Sequence, residues 1–152
     1  TVTALSAILA KAEAHCADHK IDESALTAFR LFPDMLPFTR QVQLASDFAC
    51  RTPARLTGAE VPSHPDVETT LAQLQTRLAT ALTYLGTFSE AAFDGAATRE
   101  VTIKMRHAEL TFTGQVFLSQ FALPNFYFHA TTAYTILRHN GLPLGKRDFM
   151  GA

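Results

Sequence analysis

Three polar residues whose side chains can bind a ligand or exchange protons lie within one aromatic stretch, FALPNFYFHATTAYTILRHNG at residues 121–141. At 3.6 residues per helical turn, Asn125 and His129 lie one turn apart on one face, with Thr132 close beside them. The imidazole of His129 could ligate a metal ion, act as a base, or form hydrogen bonds in a core. The stripe marks a candidate site, and the residues alone leave its chemistry open.

Other side chains are candidates to complete this site. On the second long helix, Gln41 is predicted to face inward with Phe48, whereas Gln43 is predicted to face solvent. Tyr127 and Tyr134 are interpreted either as amphipathic packing residues or as part of a pocket wall. The candidate ligand-binding residues are therefore Gln41, Asn125, Tyr127, His129, Thr132 and Tyr134.

A proline interrupts the same helical pattern. Pro124 cannot donate an N–H group to the carbonyl of Gln120, and its ring crowds that carbonyl, so the helix is predicted to bend there. The bend could be purely structural. It could instead free backbone carbonyls next to Asn125, where they would form the floor of a pocket.

A helical zinc site usually pairs two histidines at positions i and i+4, and here Asn125 occupies the position of the first. His64 is predicted in a loop and His107 in a turn, so neither is placed to replace it. The sequence also lacks GxSxG, Walker, GxGxxG, CxxC and HExxH patterns. The commonest enzyme classes are thereby excluded.

Four long amphipathic helices are predicted to position these residues, because apolar side chains recur at spacings of three and four. The Thr52–Pro53 pair is expected to kink or restart the second helix, and Arg40 and Asp47 are expected to form salt bridges with other helices. Shorter helical turns are predicted after Asp22 and after Ser89. The long helices are predicted at residues 2–18, 33–58, 71–86 and 113–141.

Alternating polar and apolar residues on both sides of a turn predict a β-hairpin at about residues 99–113. On its first strand, Thr102, Lys104 and Arg106 alternate with apolar side chains. The sequence therefore predicts an all-α four-helix bundle in a single domain, residues 1–152, with a small hairpin inserted before the last long helix.

The composition limits the kinds of partner. A net charge of −1 and a pI near 6.5 argue against a nucleic-acid partner. No apolar run reaches the roughly 20 residues that a membrane span needs, and no signal peptide opens the sequence, so a cytoplasmic location is expected. Cys16 and Cys50 are expected to be free, partly buried thiols.

The sequence resembles the DinB-like (YfiT-like) superfamily of four-helix bundles, and most closely the family of unknown function numbered 1993. The resemblance covers nearly the whole chain. It is carried by ALSAILAKAEAH near the start, FPDMLPFTRQVQLASD on the second helix, and FTGQVFLSQFALPNFYFHATTAYTILRHNG followed by GKRDF.

The resemblance implies an up-down-down-up bundle that is commonly dimeric. It also implies a metal site of three histidines, one on the second helix and an HxxxH pair on the fourth. Those positions fall on Gln41, Asn125 and His129 in this sequence. One histidine with two amides is a weak ligand set for Zn²⁺ or Ni²⁺. The superfamily's metal-dependent thiol-S-transferase activities are therefore in question for this chain.

Three functions remain open from the sequence. The first is a pocket between the second and fourth long helices that binds a small organic ligand without a cofactor, oriented by Gln41, Asn125 and His129. The second is a divergent metal-dependent transferase or hydrolase in which His129 is one ligand of a divalent ion such as Zn²⁺ or Ni²⁺. The third is a structural homodimer whose polar cluster fixes core packing.

Overall fold

The computed structural model describes residues 1–105 and 107–152, and it is mostly helical, as predicted. None of the described helices has the length and apolar character needed to cross a membrane. In chain order the elements are α1 (Val2–His19), α2 (Ser24–Thr27), α3 (Phe38–Thr57), α4 (Leu71–Leu85), a 3₁₀ turn (Glu90–Phe93), β1 (Glu100–Lys104), β2 (Glu109–Thr113), α5 (Gly114–Val116), a π-helical segment (Phe117–Ala122), α6 (Leu123–His139) and α7 (Lys146–Met150).

The helix ends follow local chemistry. α3 begins after Pro37 and ends at Gly58, whose φ of 76° is a left-handed conformation that glycine adopts without strain. α4 begins with a capping box, in which the hydroxyl of Thr70 accepts from the N–H of Gln73 and the Gln73 side chain accepts from the N–H of Thr70. The carboxylate of Asp22 accepts from the N–H of Ser24, as expected for the start of α2.

Pro53 does not restart α3. The helix runs through this proline to Thr57, so of the two outcomes expected at Thr52–Pro53, a kink or a restart, the restart is wrong. Pro53 is buried, and the hydroxyl of Thr57 donates to its carbonyl at 2.9 Å. Packing around the proline ring therefore holds the helix together where its N–H is missing.

The four long helices form a ring in which α1 packs on α4 and α6, and α3 packs on α4 and α6. Val2 at the start of α1 and Leu123 at the start of α6 line the same groove as Leu56 and Leu85, which lie at the ends of α3 and α4. Two helices therefore begin where the other two end. This is the up-down-down-up arrangement.

The main core lies between the long helices, where side chains such as Leu9, Phe38, Leu78 and Leu137 are fully buried. Phe121 is half-buried. Phe128 lies outside this core, because 56% of Phe128 is exposed.

The hairpin forms as predicted, with Glu100 opposite Thr113 and Lys104 opposite Glu109. Val101 turns inward and joins a second small core at the end of α3. That core also contains Leu56, Ala96, Phe117 and Ala122. The predicted place of Arg106 in the alternating pattern of the first strand lies outside the described residues.

The predicted final helix is interrupted before Pro124. Residues Phe117–Ala122 form π-helical hydrogen bonds, and a regular α-helix starts only at Leu123, which places Pro124 in its first turn. A proline is tolerated there because a first-turn N–H has no helical partner. The switch from π to α therefore accommodates Pro124.

Candidate functional site

The most buried polar contact between α3 and α6 joins Gln41 and His129. The Nδ1 atom of His129 lies 2.8 Å from Oε1 of Gln41, and these residues are 9% and 1% exposed. The Gln41 amide nitrogen donates to the carbonyl of Leu36 at 3.1 Å, so its oxygen is left to accept. Nδ1 of His129 therefore carries the proton, and Nε2 keeps its lone pair.

Aromatic rings surround His129. Phe48 stacks on the imidazole with ring centroids 5.9 Å apart, and Phe128 contacts it edge-on at 5.3 Å. Burial, and secondarily the positive charge of Arg40, lower the pKa of His129 below its ordinary value of 6.5. The imidazole is consequently neutral at pH 7.

The stability of the protein should therefore depend on the protonation of His129. The unfolded chain takes up a proton near pH 6.5, whereas the folded protein resists protonation until a lower pH. The stabilisation is complete above pH 6.5 and is lost as the pH falls toward the lower pKa of the folded state, with a slope of at most about 1.4 kcal/mol per pH unit. Urea unfolding at several pH values between 5 and 7.5 should show this slope reduced in His129→Gln. A variant that retained the wild-type slope would contradict the assignment.

Asn125 and Thr132 bond within their own helix. The Asn125 amide donates to the carbonyl of Phe121 at 2.7 Å, and the Thr132 hydroxyl donates to the carbonyl of Phe128 at the same distance. Neither forms a side-chain hydrogen bond with His129, although all three lie along one helix. The polar stripe seen in the sequence is therefore mostly satisfied locally.

The two tyrosines lie apart from one another. Tyr127 is 46% exposed and lines a groove on the surface, whereas Tyr134 packs edge-on against Phe149 on α7, with ring centroids 5.7 Å apart. Of the six candidate residues, the structure brings Gln41 and His129 into direct contact and places Tyr127 on a cavity.

The donor set does not fit the three-ligand metal site that the resemblance implies. The Gln41 oxygen faces Nδ1 of His129, and the Asn125 amide is bonded to Phe121. Among the described residues, no group of three or more His, Cys, Asp or Glu side chains is arranged to hold a metal ion. Nε2 of His129 would be a single imidazole ligand, and no catalytic step through a metal can be derived from these positions.

A groove of about 430 Å³, here named the apolar groove, opens at the end of the bundle where α1 and α6 begin. Phe48 forms part of its wall and also stacks on His129, so it connects the groove to the Gln41–His129 pair. Sequence reasoning found Tyr127 but not the rest of the lining, since the groove is assembled from four separate helices. Other lining residues are Val2, Ala49, Leu56, Leu85, Leu118, Leu123 and Phe126.

A buried ionic network lies on the other side of α3. The Arg77 side chain, 3% exposed, contacts Asp47 at 2.7 Å and Glu68 at 3.0 Å. Gln43 donates to Glu68 at 2.8 Å and is only 3% exposed, so the prediction that it faces solvent is wrong. Arg40 forms an ion pair with Asp66 in the loop before α4. The network ties that loop to α3 and α4.

Both cysteines are free and buried, as expected. Burial, and secondarily the charge of Asp47, raise the pKa of Cys50 to about 11. At neutral pH the thiolate of Cys50 is a very small fraction, so this residue is not suited to nucleophilic chemistry.

Together, the ring of four helices, the hairpin before the last of them and the α3–α6 site define a DinB-like bundle. A crystal structure of a DinB family member from Shewanella denitrificans is similar to this chain, with 47% sequence identity and a TM-score of 0.89. The alignment covers 99% of this chain and 85% of that one. The DUF1993 family, described as a domain of unknown function, matches residues 1–150, and the chain belongs to this family. No curated protein matches the sequence.

Proposed function

We propose that this protein binds a small, largely apolar organic molecule in the apolar groove. The observation that carries the proposal is a cavity of about 430 Å³ whose wall is built mainly from aliphatic and aromatic side chains, with Thr1 and Thr52 also in the lining. Small-molecule sites commonly have this size and this composition. Binding would remove the apolar wall and the ligand from water together.

The Gln41–His129 pair would act on the ligand through Phe48. The hydrogen bond fixes the orientation of the imidazole, and the imidazole stacks on the ring of Phe48, which faces the groove. Tyr127 places a phenol on the same groove, where its hydroxyl could bond a polar group of the ligand. In this proposal Gln41 and His129 are positioning residues, and Tyr127 contacts the ligand.

The neutral fluorescent probe N-phenyl-1-naphthylamine tests the proposal. We expect its fluorescence to rise on binding, and Ala49→Leu, which fills the groove, to weaken binding at least about tenfold, which corresponds to about 1.4 kcal/mol. Ala79→Leu is the matched control, because Ala79 is exposed on α4 and is absent from the groove. Equal binding by the wild type and Ala49→Leu, with both folded by circular dichroism, would overturn the proposal.

A homodimer is the second candidate. Leu123, Tyr127 and Phe128 are 38%, 46% and 56% exposed, and a second subunit could cover these side chains. Two of them, Leu123 and Tyr127, line the groove. Light scattering during size-exclusion chromatography gives the mass directly. A dimer that fails to bind the probe, but becomes monomeric and binds it in Phe128→Ser, would favour assembly over ligand binding.

A further inference from the structure

A smaller pocket of about 200 Å³ lies where α3, β1 and the π-helical segment meet, and its chemistry differs from that of the apolar groove. Three cationic side chains line it, Arg51 and Arg55 from successive turns of α3 and Lys104 from β1. No carboxylate is part of the lining that the described residues form. Positive charge is therefore concentrated in a concave, partly enclosed space.

The protein itself supplies few hydrogen-bond acceptors for the donor groups in this pocket. Arg51 contacts Asp47 at 3.0 Å through one terminal nitrogen, but its Nε atom is buried without a hydrogen-bond partner in the described part of the chain. Among the described residues, the Arg55 side chain donates only to the carbonyl of Arg51, at 3.4 Å. Within residues 1–105 and 107–152, no carboxylate lies within salt-bridge distance of Arg55 or Lys104.

The positive charge in this pocket is only partly compensated by the protein, because Arg51 is paired with Asp47 at 3.0 Å whereas Arg55 and Lys104 form no salt bridge among the described residues. Arg51 and Arg55 are four residues apart on one helix face, where like charges repel. Burial, and secondarily the charge of Arg51, lower the pKa of Arg55. A bound carboxylate would supply acceptors for the guanidinium groups and offset the repulsion.

The floor of the pocket is aromatic. Phe121 lies 6.1 Å from Phe48 and 5.9 Å from Phe117 between ring centroids, and the Phe117 and Phe121 rings are stacked at 25°. A bare inorganic anion would leave this surface without a partner. A planar apolar body attached to the charged group would cover it. The volume accommodates about one small ring, below the usual range for drug-sized ligands.

We propose that the pocket of Arg51, Arg55 and Lys104 is a binding site for a small aromatic carboxylate. The carboxylate lies between the two guanidinium groups and the Lys104 ammonium, and the ring lies on the half-buried Phe48 and Phe121. Arginine suits this role because its planar fork donates two parallel hydrogen bonds to a carboxylate. The site does not depend on a ligand in the apolar groove, although Phe48 and Thr52 line both.

Three probes test the site by ¹H–¹⁵N NMR titration at low ionic strength. Benzoate has both the charge and the ring, benzamide has the ring without the charge, and inorganic phosphate has the charge without the ring. We expect benzoate to shift the amides of α3 and β1 around the pocket, and to bind at least about tenfold more tightly than benzamide or phosphate. Equal affinity of benzoate and benzamide, or tighter binding of phosphate, would overturn the proposed ligand class.

Variants locate the binding. Arg55→Gln and Lys104→Gln should each weaken benzoate binding at least about threefold, while N-phenyl-1-naphthylamine binding in the apolar groove stays at the wild-type level. Arg138→Gln, an exposed cation near the end of α6, is the control and should leave benzoate binding unchanged. Lys104 is exposed on a strand, so Lys104→Gln still tests the site even if Arg55→Gln fails to fold. Wild-type benzoate affinity in Lys104→Gln would overturn the proposal, as would an equal loss in Arg138→Gln.

Discussion

Arg77→Met is expected to lower the free energy of unfolding by about 3 kcal/mol. The Arg77 side chain is 3% exposed and contacts the equally buried carboxylate of Asp47 at 2.7 Å. Methionine retains most of the apolar volume but removes the charge, which leaves the buried Asp47 and the partly buried Glu68 with fewer partners. Arg51 still contacts Asp47 at 3.0 Å, so we expect the lower end of the range known for broken buried pairs.

Urea denaturation followed by circular dichroism measures this loss. Lys11→Met is the control, because it removes the exposed salt bridge to Asp148 and should change stability little. Adding Asp47→Asn to Arg77→Met should recover part of the loss, since the uncompensated charge is then gone. If Arg77→Met were as stable as Lys11→Met, the buried network would not contribute as the structure indicates.

Gly114→Ala is expected to lower the free energy of unfolding by a similar amount, about 3 kcal/mol. A β-carbon at Gly114 would lie 1.9 Å from the carbonyl oxygen of Ala96 and 3.0 Å from a methyl group of Leu56. The oxygen belongs to the backbone, so a side-chain rotation cannot relieve the overlap. The segment that joins β2 to α5 would have to move away from the chain around Ala96.

Thermal and urea unfolding should both report the effect of Gly114→Ala. Gly86→Ala is the matched control, because Gly86 has a φ of −67° and its β-carbon would lie 3.4 Å from the nearest atom, the carbonyl oxygen of Thr83. We expect that variant to remain within about 0.5 kcal/mol of the wild type. Equal stability of the two alanine variants would contradict this prediction, because the backbone near Ala96 could then move with little loss of free energy of unfolding.

Periodicity predicted the elements because each helix buries a continuous apolar stripe. The leucines of α4 and the alternation in the hairpin are local signals, and both gave the correct structure. The direction of Gln43 was not predictable in this way, because its partner Glu68 lies 25 residues along the chain in an irregular loop. The inward position of Gln41 was predicted, since it lies in a row with Phe48 on the buried side of α3.

The candidate site was only partly accessible to sequence reasoning. The family pattern aligned Gln41 with His129, and the structure brings these residues, 88 positions apart, within hydrogen-bond distance. The sequence could not show that Asn125 and Thr132 donate hydrogen bonds to backbone carbonyls four residues earlier, because the position of a residue on a helical face does not specify its side-chain rotamer. Most of the lining of the two pockets was not predicted, because each pocket is built from elements that are distant in sequence.

The π-helical segment makes the fold sensitive to the number of residues between Phe117 and Ala122, although the residue types in this segment are ordinary. This segment holds one residue more per turn of hydrogen bonding than an α-helix does. Deleting one residue between Phe117 and Ala122 would allow a continuous α-helix, but would rotate everything before it by about 100° and shift it by about 1.5 Å along the axis. Phe117 would lose its contact with Phe121, and β2 would move away from the end of α3. Relatives that have the hairpin in this position should accordingly have a segment of the same length, even where its residue types differ.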